Sequence, residues 1–278
     1  MKKLGLCLGL LFSLNVSGQQ QKYVADTLSP VQIVQLYVSP NGFPGKMKFF
    51  CCELYQEWYA DKTLGQQLPA NVQRDVKVIY EDTIHAAVSV WLHDSVTSKD
   101  IYFYLVHNQT WAVYAARSLA YTDVAVNQLK KMDSIPLADR GKTYTDAHGR
   151  TFAFEHDNLT LWGGSDTNLV QFFRQNEKTF NAVQKRMTKK GYYGRNDTLV
   201  NGAMKDKKIK SLSQKILIRG FQSDKLYPGA VFYMLGGVSD NSVGYMYQPD
   251  ATKVPNMTEK HFILVRPLGN GWYLFKTT

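Results

Sequence analysis

The sequence predicts an α+β protein with two units, in each of which helices pack on an antiparallel β-sheet. Residues 30–59 carry apolar side chains at helical spacing, whereas residues 72–117 alternate apolar and polar side chains in four short segments. After residue 152 a long helical segment is again followed by short alternating segments. Consecutive strands with short connections pair antiparallel, and such a sheet buries a face against helices. Each half of the chain therefore predicts one layered unit.

The predicted boundaries follow from composition. We expect the first unit over residues 22–135 and the second over residues 152–278. Residues 136–151 contain Pro136 and two glycines among polar side chains, which is typical of a linker.

The beginning of the chain has the parts of a secretory signal peptide, predicted over residues 1–18. Lys2 and Lys3 form a positive start, residues 4–14 are an apolar run, and residues 16–18 supply small side chains before a cleavage site. The apolar run is shorter than the ~20 residues that span a bilayer. Cys7 lies inside this run rather than after it, where a lipid anchor would need it. The sequence therefore predicts export to the periplasm or beyond, without a transmembrane segment in the mature chain.

Two helices and four strands are predicted in the first unit. Ser29 and Pro30 predict a helix start, since serine caps a helix and proline suits its first position. A second helix is predicted over residues 46–59, with one apolar face formed by Met47, Phe50, Cys51, Leu54 and Trp58. The four strands are expected over residues 72–80, 84–93, 101–107 and 111–117. The two helices must cover one face of the sheet.

The order of helices and a four-stranded meander resembles the NTF2-like, cystatin-like α+β fold over residues 30–118. The segments that carry the resemblance are residues 102–106 (YFYLV) and 111–114 (WAVY). It implies a curved antiparallel sheet that forms a cone around a pocket. Members of the family include isomerases, dehydratases, small-ligand binders and exported proteins without catalytic activity, so the fold implies no single function. Trp91, Tyr104 and Trp111 are the predicted ligand-binding residues of such a pocket, although core packing explains them equally well.

The second unit is predicted to begin with a strand over residues 152–161. Ser165 or Asp166 then caps a long helix that ends at Gly191. Five strands are expected over residues 216–219, 230–235, 243–248, 261–266 and 272–276, with Asp240-Asn241 and Asn270-Gly271 as turn dipeptides. Residues 241–247 and 269–273 resemble exported bacterial proteins of unknown function.

Composition and motifs exclude several classes. Apolar residues make up 44% of the chain and charged residues 20%, which excludes a disordered or fibrous protein. Cys51 and Cys52 are adjacent and bond only through a strained ring, so we expect two buried free thiols. His85 and His93 share a strand face but lie ~27 Å apart, too far to share a metal ion. Phosphate-binding loops and nucleophile elbows are absent from the sequence. The sequence therefore predicts no metal site, no catalytic residue and no cofactor.

A basic segment precedes the predicted strands of the second unit. Its cationic candidates for binding an anionic surface are Lys185, Arg186, Lys189, Lys190, Lys207 and Lys208. Nucleic acid is not an expected partner of an exported chain without a recognised binding motif. A solvated helix end explains the segment, and an anionic envelope surface is the alternative partner.

Three function classes remain open at this point. The favoured one is an exported, non-catalytic protein that binds a small apolar ligand or an envelope partner. A small pocket enzyme of the isomerase or hydrolase type would need a buried carboxylate or histidine with a perturbed pKa in the pocket of the first unit. An inhibitor-like protein would need a large exposed aromatic patch.

Overall fold

The described part of the chain forms two antiparallel β-sheets, one of four strands and one of five. The computed structural model describes residues 28–95, 98–143, 150–192, 200, 202–238 and 240–278. The predicted signal peptide lies outside these residues. The predicted α+β class with two antiparallel sheets is confirmed. Within the described part of the chain, no helix combines the length and the apolar character needed to cross a bilayer.

The first sheet is the predicted meander. Its strands, in spatial order, are β1 (Gln73–Glu81), β2 (His85–His93), β3 (Ser98–Asn108) and β4 (Thr110–Arg117). Helix α1 (Pro30–Val38) begins at the predicted cap, where the Ser29 side chain accepts a hydrogen bond from the Gln32 N–H. Ile33 and Val34 of α1 pack on Val88 and Val90 of β2 and form a core on one face of the sheet.

The predicted helix over residues 46–59 is wrong in type. The chain forms two 3₁₀ helices, Lys46–Phe49 and Cys52–Trp58, and a short α2 (Leu64–Gln67) follows. Between the 3₁₀ helices, Phe50 makes a parallel bridge with Val113 of β4, and the Cys51 N–H donates to the Val113 carbonyl oxygen at 3.0 Å. Main-chain pairing with β4 at residues 50 and 51 is incompatible with a continuous helix, so sheet pairing overrides the helical spacing.

The prediction of two buried thiols is also wrong. Phe50 is the residue that turns into the core, whereas Cys51 is half-buried and Cys52 is exposed. The apolar face inferred for a regular helix therefore does not exist in this segment.

The second sheet has the order β5-β6-β7-β9-β8. Its strands are β5 (Gly220–Gln222), β6 (Val231–Val238), β7 (Asn241–Tyr247), β8 (Phe262–Gly269) and β9 (Trp272–Thr277). Asn270 and Gly271 join β8 to β9 with φ angles of 54° and 79°, the left-handed pair that a two-residue hairpin requires. The C-terminal strand, β9, lies inside the sheet between β7 and β8. Residues 216–219, predicted as a strand, precede β5 instead of forming part of it.

Besides two short 3₁₀ helices, the described ranges contain five further α-helices with both ends described. They are α3 (Thr122–Asp133), α4 (Leu137–Thr143), α5 (Phe152–Trp162), α6 (Asp166–Lys189) and α7 (Lys207–Lys215). The strand predicted over residues 152–161 is wrong, because this segment is α5, capped by the Thr151 hydroxyl. Helix α5 is buried on most of its circumference, so its apolar residues show no helical period. Helix α4 lies inside the predicted linker.

The other face of the first sheet contacts residues 152–278, for which we keep the name second unit as a label. Ala87, Tyr102 and Tyr104 on this face belong to the same continuous apolar cluster as Phe173 of α6 and Trp272 of β9. We call this contact between the first sheet and residues 152–278 the seam.

Candidate functional site: a tyrosine-lined cleft at the seam

A cavity of 610 Å³ opens between the first sheet and the second unit. We call it the cleft. The first sheet lines it with Tyr80, His85, Ala86, Ala87, Tyr104 and Tyr114. The second unit lines it with Ala251, residues 254–258, Val265, Pro267 and Tyr273. The cleft falls in the size range of ordinary small-molecule sites.

A small residue in the middle of the first sheet provides the space. Ala87 pairs with Tyr80 on one side and with Tyr104 on the other. The small methyl group of Ala87 leaves space between the two tyrosines. Tyr80 is exposed, whereas Tyr104 is buried. The cleft is therefore a depression in the sheet surface that the second unit covers.

A β-bulge brings a third tyrosine into the cleft. Ala115 pairs with Tyr104 and Val113 pairs with Leu105, so Tyr114 is the extra residue of β4. A bulge changes the direction of a side chain, and here the Tyr114 ring lies 6.1 Å from the Tyr104 ring, centroid to centroid. A second register shift, between Val78 and Tyr80, lies beside the cleft on β1.

The hydroxyl groups of two tyrosines are engaged with the second unit. Tyr104 donates to the Ile263 carbonyl oxygen at 2.8 Å, and Tyr114 donates to Glu259 Oε2 at 3.3 Å. Burial raises the pKa of Tyr104 well above its ordinary value. Burial, and then the Glu259 charge, raises the pKa of Tyr114 to about 12. Both phenols therefore remain protonated near neutral pH and serve as hydrogen-bonding groups rather than as bases.

Arg117 fixes the loop that borders the cleft. Its Nε donates to the Glu259 carbonyl oxygen at 2.8 Å. Its two terminal nitrogens donate to the Glu53 carboxylate at 2.6 and 3.0 Å. One guanidinium thus joins β4, the second 3₁₀ helix and the segment before β8, and a bidentate pair of this kind holds its geometry well.

The cleft carries little charge. Among the described residues that line it there is no Asp, Glu, Lys or Arg side chain, and His85 is its one imidazole. Charged ligands are normally bound by opposite charges. The lining therefore suits an uncharged molecule with apolar surface and a few hydrogen-bonding groups.

A buried ionic cluster lies elsewhere in the seam. Lys276 Nζ of β9 is 2.8 Å from Asp166 Oδ1 and 3.2 Å from Asp100 Oδ2. The Tyr102 hydroxyl donates to both Asp166 oxygens, at 3.0 and 2.9 Å, and the Asp166 N–H donates to Asp100 Oδ2. All four side chains are buried. We call Asp100, Tyr102, Asp166 and Lys276 the seam cluster.

The seam cluster perturbs the ionisation of its members. Burial first, and then the charge of Asp166, raises the pKa of Asp100 to about 6, against the opposing effect of Lys276. For Lys276, burial lowers the pKa, but the charges of Asp166 and Asp100 outweigh it and raise the pKa above its ordinary value. Lys276 is therefore charged at neutral pH. Its ammonium links β9 to Asp100 of the first sheet and to Asp166 of α6.

The three predicted ligand-binding residues are not brought together. Tyr104 lines the cleft. Trp91 lies near the end of β2, outside the cleft, and stacks on His93 with ring centroids 3.7 Å apart. Trp111 pairs with His107 and packs on the α1 core, on the opposite face. Tyr80, Tyr114 and Tyr273 were not predicted, because two register shifts and the contact with the second unit decide their positions, and neither has a local sequence signal.

The predicted basic residues lie at the junction of two helices. Lys185, Lys189 and Lys190 are exposed near the end of α6, and Lys207 and Lys208 are exposed at the start of α7, which contacts α6. We call these five lysines the basic patch. Arg186 is not part of the basic patch, because its guanidinium donates two hydrogen bonds to the Asp206 carboxylate, at 2.9 and 2.8 Å. The hydrogen bond from Arg186 lowers the pKa of Asp206 to about 2.

Metal ligands do not converge in the part of the chain that the structure describes: no three His, Cys, Asp or Glu side chains there are grouped to hold an ion.

Comparisons with family models, with curated proteins and with solved structures give no match to this chain.

Proposed function

We propose that the protein is an exported, non-catalytic binding protein that holds a small uncharged ring-containing ligand in the cleft. The observation that carries this proposal is the 610 Å³ cavity lined by four tyrosine rings, with no carboxylate, lysine or arginine among the described residues that line it. Tyrosine rings provide apolar contact area at low entropic cost. The Tyr104 and Tyr114 hydroxyls already donate to the second unit, and each can still accept a hydrogen bond from a ligand.

We also propose that the first unit has the NTF2-like arrangement, with its ligand site displaced to the outer face of the sheet. The face under α1 is filled, since Ile33, Val34, Val88 and Val90 are fully buried there. Space for a ligand lies on the opposite face, where Ala87 and Tyr104 meet the second unit. The second unit then acts as the cover of the site.

The enzyme alternative has less support. It needs a carboxylate or histidine of perturbed pKa in a pocket. The carboxylate with a raised pKa, Asp100, is buried in the seam cluster, where Lys276 and the Asp166 N–H occupy it. The pKa values of Tyr104 and Tyr114 in the cleft are raised, which makes these phenols poor proton acceptors at neutral pH.

The inhibitor-like alternative rests on two exposed rings. Tyr55 and Tyr59 of the second 3₁₀ helix segment are 46% and 72% exposed, with ring centroids 6.0 Å apart. Two rings are short of the several hundred Å² of apolar surface that marks a docking patch.

Binding of the neutral dye Nile red tests the cleft proposal. We expect saturable, one-to-one binding with increased dye fluorescence. Val265→Trp places a large ring in the cleft and should weaken binding at least tenfold. Val124→Trp adds the same ring on the exposed side of α3, away from the cleft, and should leave binding unchanged. Absence of saturable binding, or equal binding by both variants, would refute the proposal.

Export is proposed from residues 1–18 and is tested separately. The full chain, expressed in a bacterial host with an outer membrane, should be recovered from the periplasm with a mass that lacks about the first 18 residues. Recovery of the uncleaved chain in the cytoplasm would overturn this part of the proposal.

A further inference from the structure

Cys51 and Cys52 have their sulfur atoms 2.9 Å apart. Cys51 is half-buried, whereas Cys52 is exposed and accessible to a dissolved reagent. We propose that these two cysteines form a reversible vicinal disulfide, which gives the protein a redox site separate from the cleft. The proposal does not depend on the ligand proposed for the cleft.

The backbone supports this pairing. Consecutive residues of an extended chain point their side chains to opposite sides. Cys51 is extended, with φ −146° and ψ 178°, but Cys52 has a φ of 60° in the left-handed region. This reversal at Cys52 brings the second thiol to the side of the first. Residues held in such sparsely populated conformations concentrate at functional positions.

The other non-glycine residues with positive φ in the described chain have evident local reasons. Gln109 and Asn270 occupy hairpin turns, and Leu217 follows the end of α7. Cys52 instead begins a 3₁₀ helix, where no hairpin requires a left-handed residue. Cys52 lies at the second position of the turn that the Leu54 N–H closes on the Cys51 carbonyl oxygen, and its left-handed φ places its thiol beside that of Cys51.

Hydrogen bonds hold the segment on both sides of the thiols. The Cys51 N–H donates to Val113 of β4 at 3.0 Å, and the Leu54 N–H donates to the Cys51 carbonyl oxygen at 3.1 Å. The Trp58 indole donates to the Phe50 carbonyl oxygen at 2.6 Å. Because the backbone is fixed before and after the pair, the approach of the two sulfur atoms is part of the folded structure.

The chemistry is thiol–disulfide exchange with a low-mass disulfide such as oxidised glutathione. The exposed Cys52 loses its proton and attacks one sulfur of glutathione disulfide, which forms a mixed disulfide and expels one glutathione thiolate. Cys51 then loses its proton and attacks the Cys52 sulfur, which closes the ring and expels the second thiolate. The two released protons convert the thiolates to two molecules of reduced glutathione, so two cysteine thiols are oxidised and one disulfide is reduced.

The order of the two attacks follows from the surroundings of each thiol. Burial and the hydrogen bond with Cys52 raise the pKa of Cys51 to about 12, so Cys51 is slow to form a thiolate in the reduced protein. Cys52 is the accessible partner and makes the first attack. A ring closed between adjacent residues is strained, so we expect the disulfide to be readily reduced again by glutathione.

Mass spectrometry of the full-length mature protein tests the proposal. The protein is reduced, exchanged into excess oxidised glutathione at pH 8, quenched with acid and treated with N-ethylmaleimide. We expect the mass of the oxidised protein to fall by two hydrogen atoms. It should carry neither a maleimide nor a glutathione adduct. The loss should lie in the tryptic peptide of residues 49–62, which contains both cysteines. Excess reduced glutathione should restore two maleimide adducts.

Two variants identify the step. Cys51→Ser removes the thiol that closes the ring, so Cys52 should retain one glutathione. Cys52→Ser leaves the half-buried thiol, which should react at least tenfold more slowly. Two maleimide adducts, two glutathione adducts or a disulfide-linked dimer in the oxidised natural protein would each overturn the proposal.

Discussion

The ammonium of Lys276 lies 2.8 Å from Asp166 Oδ1, and this contact joins the C-terminal strand to the start of α6 inside the buried seam. Asp100 of the first sheet completes the arrangement at 3.2 Å from the same nitrogen. The cluster holds two carboxyl groups and one ammonium, so one carboxylate is not neutralised. An uncompensated charge in a buried site is costly, and the stability of the protein should therefore depend on the ionisation of this cluster.

The first prediction concerns the pH dependence that Asp100 creates. In the unfolded chain this carboxyl ionises near its ordinary pKa, whereas in the folded protein its pKa is about 6. Between these values the folded state binds more protons than the unfolded state, so stability falls as pH rises, and the loss is complete above about pH 6. A difference of roughly two pKa units corresponds to about 3 kcal/mol.

Asp100→Asn tests this dependence, because the amide resembles the protonated carboxyl and does not titrate. Urea unfolding of both proteins at pH 4, 5, 6 and 7 gives the difference in the free energy of unfolding, natural protein minus variant. We expect this difference to fall by about 2–3 kcal/mol from pH 4 to pH 7. A difference that stays constant across the range would show that Asp100 ionises normally.

The second prediction concerns the counter-charge. Lys276→Met leaves Asp100 and Asp166 buried without their ammonium, and removal of one partner of a buried pair costs about 3–5 kcal/mol. Urea unfolding at pH 7 measures the loss. The double variant Lys276→Met/Asp166→Asn removes one of the two unpaired charges, so it should be more stable than the single variant. If the double variant were instead less stable than Lys276→Met alone, the lysine would act by packing and not by charge.

The hairpins of both sheets were predictable because their signals are local. Asn270 and Gly271 supply the left-handed residues of the last turn, and the alternation of β2 separates a core face from a second face. The helix at α5 was not predictable in this way. Its apolar residues are buried on nearly all sides, so the helical period is lost.

The candidate site depended on information that local patterns do not contain. Tyr104 was found because it lies in an aromatic strand. Tyr114 enters the cleft through a β-bulge, and Phe50 leaves a predicted helix to pair with a distant strand. The seam cluster joins residues of three elements that meet only in the folded chain, so charge spacing along the sequence gave no sign of it.

The third prediction concerns close packing in the second sheet. A Cβ atom at Gly244 of β7 would meet the Tyr233 carbonyl oxygen of β6 and lie 3.1 Å from the Phe275 ring. Because backbone cannot move as freely as a side chain, Gly244→Ala should destabilise the protein by about 2–3 kcal/mol. Gly220→Ala is the control, since a Cβ there meets no atom within 4 Å. Chemical denaturation should show little change for this control, and equal losses for both variants would contradict the packing argument.

The fourth prediction concerns the basic patch, which we expect to bind anionic vesicles at low ionic strength. Sedimentation with vesicles of phosphatidylglycerol and phosphatidylcholine, at increasing salt, measures the binding. Each lysine near such a surface contributes about 1 kcal/mol, so replacing four of them by glutamine should weaken binding at least tenfold. The four are Lys189, Lys190, Lys207 and Lys208. The control replaces four exposed lysines elsewhere and keeps the same net charge as the test variant; these are Lys130, Lys131, Lys225 and Lys260. If both variants lose binding equally, net charge alone attracts the protein to the vesicles, and the arrangement at the junction of α6 and α7 has no special role.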